Sequence, residues 1–199
     1  MNERSLSTNM TRKELIIQTA RKLIVQNGLY DTSVAKIAKE AQIPVGSVYT
    51  YFSTKEEMID EIYKSIKLEM AHEIFKKENK EMSIYEQFAL FWHNAVNFGL
   101  ENEEKFLFVE QFSNSPLILK TTQEEINHEF AHFCELIEKG IAQGILKPLD
   151  STLIHHLVYQ QIIGATKFFN QNKPMITNEL KEQFLTCCWD SITLNQIVK

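Results

Sequence analysis

The sequence predicts an all-α protein with a small N-terminal head and a larger helical body. Three observations carry that reading. Apolar residues recur at three- and four-residue spacing almost throughout, as in Leu15, Thr19, Leu23 and Ile24, or Phe130, Phe133, Cys134 and Ile137. Only six Gly and four Pro punctuate 199 residues, and β-branched alternation is scarce. The charge is also divided. Residues 1–55 hold eight Lys/Arg and four acids, net +4, whereas the remainder holds 13 basic and 22 acidic residues, net −9. A basic head on an acidic body points to an anionic partner for the head.

The elements follow in order. A first helix runs from about Thr11 to Asn27 and stops at Gly28, a residue suited to a left-handed C-terminal position. Thr32 or Ser33 caps a short second helix through Ala41. Gln42-Ile43-Pro44 is a turn, with Pro44 near the first position of a third helix ending at about Phe52. Ser53 with Glu56 three residues on reads as a capping box that opens a long helix to about Lys80. Ser83 caps a helix to about Leu100, and a shorter one covers about Glu103 to Phe112. Ser115-Pro116 begins the next, ending between Gly140 and Gly144. Asp150 caps a helix to about Asn170 and Thr177 caps the last, to about Gln196. That makes about nine helices. The head-to-body boundary, drawn between residues 54 and 55, meets the start of one long helix, which predicts a rigid joint.

Helix, short helix, three-residue turn and short helix is the helix-turn-helix plan. Small Ala38 and Ala41 let the two short helices approach, while Ile37, Ile43, Val48 and Phe52 can fill a miniature core. This leaves Val45, Gly46, Ser47, Tyr49 and Thr50 on the other side of the third helix. Gly46 permits close approach of a sugar-phosphate strand. Val45 and the Thr50 methyl can meet a thymine methyl, and Ser47 can reach a base edge. Tyr49, Tyr51, Thr32 and Ser33 offer hydroxyls to phosphates, and Lys36 and Lys55 offer cations. Lysine is unfavourable at a helix N-terminus, so Lys55 there calls for a nearby anion.

The stretch from about Arg12 to Ile59 resembles the DNA-binding domain of the TetR repressor family. The match includes Ala20, Leu23, Gly28, Thr32, Ile37, Ala38, Ala41, Gly46, Tyr49, Tyr51, Phe52 and Lys55 at the family's spacing. Two departures stand out. Gln42 replaces the usual turn glycine, so the turn must tolerate a side chain. Pro44-Val45 replaces a commoner Ser-Lys type pair, removing one potential phosphate contact. The resemblance implies residues 1–54 as a helix-turn-helix DNA-binding domain and 55–199 as a ligand-binding and dimerisation domain. It further implies a homodimer through the last two helices, a palindromic double-stranded DNA operator, and release by a small-molecule effector.

Twelve of the thirteen phenylalanines lie beyond residue 70, joined by Trp92 and Trp189. Candidates to line an effector pocket are Phe88, Phe91, Trp92, Phe112, Phe130, Phe133 and Tyr159, and their character points to an apolar or aromatic effector. The last two helices carry apolar stripes, Leu153, Ile154, Leu157, Ile162 and Ala165, then Leu180, Phe184, Cys187 and Ile192, with Gly164 allowing close helix approach. His128 and His132 share the four-residue spacing of a chelating pair, but no third ligand is evident and a polar helix face is the better reading. His155 and His156 point apart, so at most one faces a pocket. The odd cysteine count, Cys134 with adjacent Cys187 and Cys188, argues against a disulfide framework. Cys187 and Cys188 suit small apolar roles better than oxidant sensing.

These features predict a ligand-responsive DNA-binding regulator without catalytic residues, metal or cofactor. A helical small-molecule-binding protein or enzyme is the alternative; no nucleophile-base arrangement or phosphate-binding glycine loop supports it. A nucleoid protein fits poorly with a body of net −9. No apolar run approaches the ~18 residues of a membrane span, and the polar N-terminus is unlike a secretory signal, so a cytoplasmic location is expected.

Overall fold

The structure, a computed structural model, describes residues 10–77, 79 and 81–194. The helix ends drawn from sequence at Lys80 and Gln196, like Glu3 and Arg4 of the head's charge count, lie outside those residues. The described chain forms ten α-helices: α1 Arg12–Asn27, α2 Val34–Glu40, α3 Val45–Tyr49, α4 Lys55–Phe75, α5 Ile84–Glu101, α6 Glu103–Phe112, α7 Lys120–Glu129, α8 Ala131–Ala142, α9 Ser151–Gln171 and α10 Asn178–Ile192. A 3-10 turn covers Lys173–Met175, and Leu146 and Thr193 make an isolated antiparallel bridge.

Local chemistry explains most boundaries. Thr11 and Glu14 close a capping box on α1, and Ser83 and Glu86 close another on α5. Asp150 accepts from the backbone N–H of Thr152 and Leu153 to start α9. Three boundaries differ from expectation. The cap of α4 is Thr54, whose hydroxyl accepts from Glu57 N at 3.0 Å, while Glu57 reaches back to Ser53 N at 2.7 Å; the box sits one residue later than Ser53/Glu56. Pro44 is the N-cap of α3, not its first residue, and α3 ends at Tyr49. Ser115-Pro116 opens a turn, and the helix expected from there is two, α7 and α8, broken at Phe130 (φ −93°, ψ 4°). The second of these ends at Ala142, between Gly140 and Gly144 as expected, and a Cβ on Gly140 would come within 2.7 Å of the Leu146 side chain, so this glycine serves close packing.

By packing, the chain divides into two compact units, Met1–Ile66 with Glu104–Thr122, and Lys67–Glu103 with Gln123–Lys199. The division by contact therefore differs from the head-to-body boundary expected between residues 54 and 55. The reason is visible in the first unit, where the N-terminal half of α4 contributes Met58, Ile59 and Ile62 to the core shared with Ile16, Ile24, Ile37 and Val48. Asp60, also on α4 and buried, accepts from Leu119 N at 2.8 Å and Thr122 Oγ1 at 2.7 Å, which caps the start of α7 from another helix. The second unit has its own core around Phe88, Trp92, Phe133, Ile154, Val158, Phe169 and Leu185. Each such side chain contributes about 1.5–3 kcal/mol by leaving water.

Candidate nucleic-acid interface

Helix α3 is anchored on one side and bare on the other. Val48 is buried beside Ile37 and Phe52, and α2 and α3 are held at close range by buried Ala38 and Ala41. The chain turns between them at Gln42, which takes φ 55°. A side chain in that left-handed region costs about 1–2 kcal/mol, the strain expected where a glycine is missing. Ile43 N then donates to Ala38 O at 3.0 Å and closes the turn.

The other side presents Val45 and Tyr49, 41% and 53% exposed, with Gly46 and Thr50 exposed between them and Ser47 half-buried. A Cβ built on Gly46 would meet nothing within 4 Å. No contact among the described residues, therefore, accounts for a glycine there. Thr50 Oγ1 donates back to Gly46 O at 3.1 Å, which fixes its rotamer. Tyr51 follows at 40% exposure. Ser33 caps α2, its hydroxyl accepting from Lys36 N at 3.2 Å, and Lys36 Nζ lies 3.3 Å from Asp31 O, still exposed.

Two expected contacts take on structural roles instead. Thr32 is fully buried, and its hydroxyl donates to Gly28 O at 2.9 Å and Leu23 O at 3.2 Å; it ties the C-terminus of α1 to the α2 entry and has no face for a phosphate. Lys55 Nζ donates to Leu29 O. That carbonyl supplies the negative partner a lysine needs at a helix N-terminus, and partial burial pulls the ammonium below the ordinary lysine value, against the pull of Glu56. The basic head is partly neutralised too: Lys13 pairs with Glu61 at 2.8 Å and Arg21 with Glu104 at 2.7 Å. Sequence reasoning missed Tyr30, 98% exposed in the turn after α1, whose signal was a lone aromatic residue between Gly28 and Thr32.

In the second unit, Phe88, Phe91, Trp92 and Phe133 share one core cluster with Phe130 packed against it, and Tyr159 lies beside His155. Phe91 stacks on Phe133 with centroids 3.8 Å apart, and Phe88 lies 6.3 Å from Phe133. Phe112 belongs to the first unit, packed on Phe108 at 4.6 Å, so it leaves the pocket set. A cleft lined by Ile74, Phe75, Gln87, Leu90, Phe91, His132, Phe133 and Leu136 has a free volume of about 10 Å³, room for one water.

His128 and His132 do not share a helical face, because the break at Phe130 puts them on α7 and α8; both are exposed, His132 with its ring 5.9 Å from that of Phe75. Among the described residues no three His, Cys, Asp or Glu groups gather as for a metal ion. His155 is half-buried against Phe133 and His156 is exposed. Cys188 is buried, its thiol pushed up to about 12 chiefly by burial, which disfavours the reactive thiolate; Cys187 is exposed. No helix among the described residues is long and apolar enough to cross a membrane.

Residues 16–62 match the domain described as bacterial regulatory proteins, tetR family, and residues 63–194 match the tetracyclin repressor-like C-terminal domain. The chain belongs to the TetR family. Members of this family are DNA-binding transcriptional regulators, and this chain is a regulator and not an enzyme. Over 174 residues it is 24% identical to an HTH-type transcriptional regulator of Haemophilus influenzae, covering 85% of this chain and 91% of that one. It is 22% identical over 195 residues to the HTH-type transcriptional repressor KstR2 of Mycobacterium tuberculosis, covering 92% and 94%. A TetR-family transcription regulator structure from Shewanella sp. PV-4 superposes with TM-score 0.85 at 24% identity, over 93% of this chain and all of that one, a likeness that carries the fold.

Proposed function

We propose that this TetR-family regulator is a homodimeric repressor that leaves a palindromic operator when a small apolar or aromatic effector enters its second unit. The observation that carries the reading is the bare face of α3: Val45, Gly46, Tyr49 and Thr50 stand in solvent with no packing role for the glycine. Val45 and Ser47 read base edges, Tyr49 and Tyr51 donate hydroxyls to phosphates, and Lys36 with Ser33 holds the backbone on the α2 side. Thr32 and Lys55 act one step back, holding the loop that orients these groups.

Dimerisation is assigned to α9 and α10, with a narrower face than sequence periodicity marks. Ile154, Ile162, Ala165 and Ile192 are buried within the protomer, Leu180 and Phe184 are half-buried, and Leu153, Leu157, Phe168 and Cys187 remain exposed alongside Gly164. Leu153, Leu157, Gly164 and Phe168 fall at helical spacing on one face of α9, which supports a helix-to-helix partner. Two copies so paired present recognition helices about 34–36 Å apart, one duplex turn. Helix α4 contributes Lys55–Ile66 to the first unit and Lys67–Phe75 to the second, so an effector that repacks its second half biases the head carried by its first.

Fluorescence anisotropy with duplex from the gene's own upstream region, at two salt concentrations, tests the reading. The expected result is saturable binding that survives competitor DNA and falls steeply with salt. Binding of equal strength to any duplex removes operator recognition from the protein. Retention of the dimer in Leu157→Glu with Phe168→Glu removes the α9 interface.

A further inference from the structure

The second unit buries one cation beside its aromatic cluster. Lys67 on α4 is 8% exposed. Among the described residues no carboxylate pairs with it and no acceptor takes a hydrogen bond from it. Its ammonium lies 4.4 Å from the ring centroid of Phe130 and 5.8 Å from that of Tyr159. From α9, Tyr159 brings its phenol ring to the cation, and His155, which feels the charge of Lys67, lies 6.5 Å from Tyr159 ring to ring. Burial first, then the charges of Lys67 and His156, hold His155 below the ordinary histidine value, which favours the neutral imidazole.

The energies do not balance within the protomer. Burying an ammonium without a counter-charge costs more than a cation–π contact returns. The shortfall pulls Lys67 from 10.5 down to about 8. It still carries its charge most of the time at pH 7, and methionine would fill the same space without it.

The aromatic contacts are continuous from the cleft to this cation. Phe75 and Phe91, which line the cleft, lie 5.8 Å apart, and Phe75 is 5.8 Å from Phe130, the ring under Lys67. On the other side Phe133 lies 5.8 Å from His155, which adjoins Tyr159. An apolar body can part these rings, and a cation waits at their end.

We propose that Lys67 recognises the head of the effector, and that the effector is an apolar or aromatic molecule ending in a carboxylate. The single head charge follows from the site: one cation with one neutral imidazole balances a carboxylate and leaves a doubly charged phosphate monoester uncompensated. The inference rests on the ligand-responsive reading above and goes beyond it by naming the effector's class.

The test uses the full-length protein, isothermal calorimetry and two acids, 2-naphthoate and decanoate, each beside its neutral methyl ester, with operator release followed by anisotropy. The expected result is that an acid binds wild type at least tenfold more tightly than its ester and releases the operator. Lys67→Met then loses tenfold or more for the acid with the ester unchanged, and Lys67→Arg keeps the preference. Lys67→Met removes a buried charge at matched volume, so a thermal melt at or above wild type certifies its fold. Equal binding of acid and ester, or an acid that binds Lys67→Met undiminished, overturns the role of Lys67. In that case esters that release the operator leave the repressor reading standing. Failure of both acids and both esters to bind a protein that still holds its operator overturns this inference and counts against ligand release as well.

Discussion

Two regions of the molecule, the surroundings of α3 in the first unit and the core cluster of the second, treat aromatic side chains in opposite ways. In the first, Tyr30, Tyr49 and Tyr51 stand 40–98% exposed around a helix of five residues. In the second, Phe88, Phe91, Phe133 and Phe169 are almost wholly buried in one cluster with Trp92. Each unit nevertheless holds one feature that its own packing does not explain: an open glycine at Gly46 and an unpaired cation at Lys67. Exposed rings around open space suit a large polar partner that arrives from outside, whereas buried rings around a cation suit a small one that is enclosed. Function in this protein is written where folding alone leaves something unaccounted for.

The comparison breaks if either feature proves to be structural. The largest expected effect is at Gly46. Gly46→Glu places a side chain where nothing stands within 4 Å, so the thermal melt holds or rises, while operator affinity drops by a hundredfold or more, about 3 kcal/mol. A melt that falls together with binding would make Gly46 a packing residue and leave the first unit no different in kind from the second.

Lys67 gives the next effect, in stability against pH. Its folded value of about 8 lies below the unfolded 10.5, so between them the unfolded chain binds more protons and stability rises with pH, by about 3 kcal/mol in all. Below pH 8 the full cost of the buried charge is present. Chemical denaturation at pH 7 and pH 10 should therefore show Lys67→Met more stable than wild type at pH 7, with the gap closing at pH 10. A gap that stays constant with pH would mean that the ammonium is solvated.

Two smaller effects sharpen the picture of the head. Thr32→Val leaves the Leu23 and Gly28 carbonyls without their hydroxyl donor and should cost about 1–2 kcal/mol in urea unfolding, with operator affinity unchanged wherever the protein is folded. Loss of affinity in the folded variant would return Thr32 to the DNA surface. Gln42→Gly relieves the φ of 55° and should stabilise by about 1 kcal/mol, read as a higher melting temperature at equal operator affinity.

Much of the head was legible because its determinants are local. Caps, the turn before Pro44 and the small residues Ala38 and Ala41 act over a few positions, and a short helix packed on one side must expose the other. Even there, a hydroxyl or ammonium suited to phosphate, as at Thr32 and Lys55, is equally suited to the carbonyls of Gly28 and Leu29, and only the loop's path brings these near. The body was legible as helices but not as a site. A 3.6-residue period marks Ile154 and Leu157 alike as apolar, yet one is buried in the protomer and the other exposed. Phe112 has the same aromatic character as Phe130 and yet lies in the other unit.

By itself the sequence determined the all-helical class, the helix-turn-helix with its bare face and the aromatic richness of the body, because propensity, capping and periodicity are properties of neighbours along the chain. The tertiary structure alone decided where α7 parts from α8, that half of α4 belongs to each unit, and that Lys67 is buried without an anion. Those depend on which distant residues meet. Lys67 follows Tyr63 by four residues and precedes Ile74 by seven, on the buried stripe of α4, and its cost emerges only when Phe130 and Tyr159 close over it.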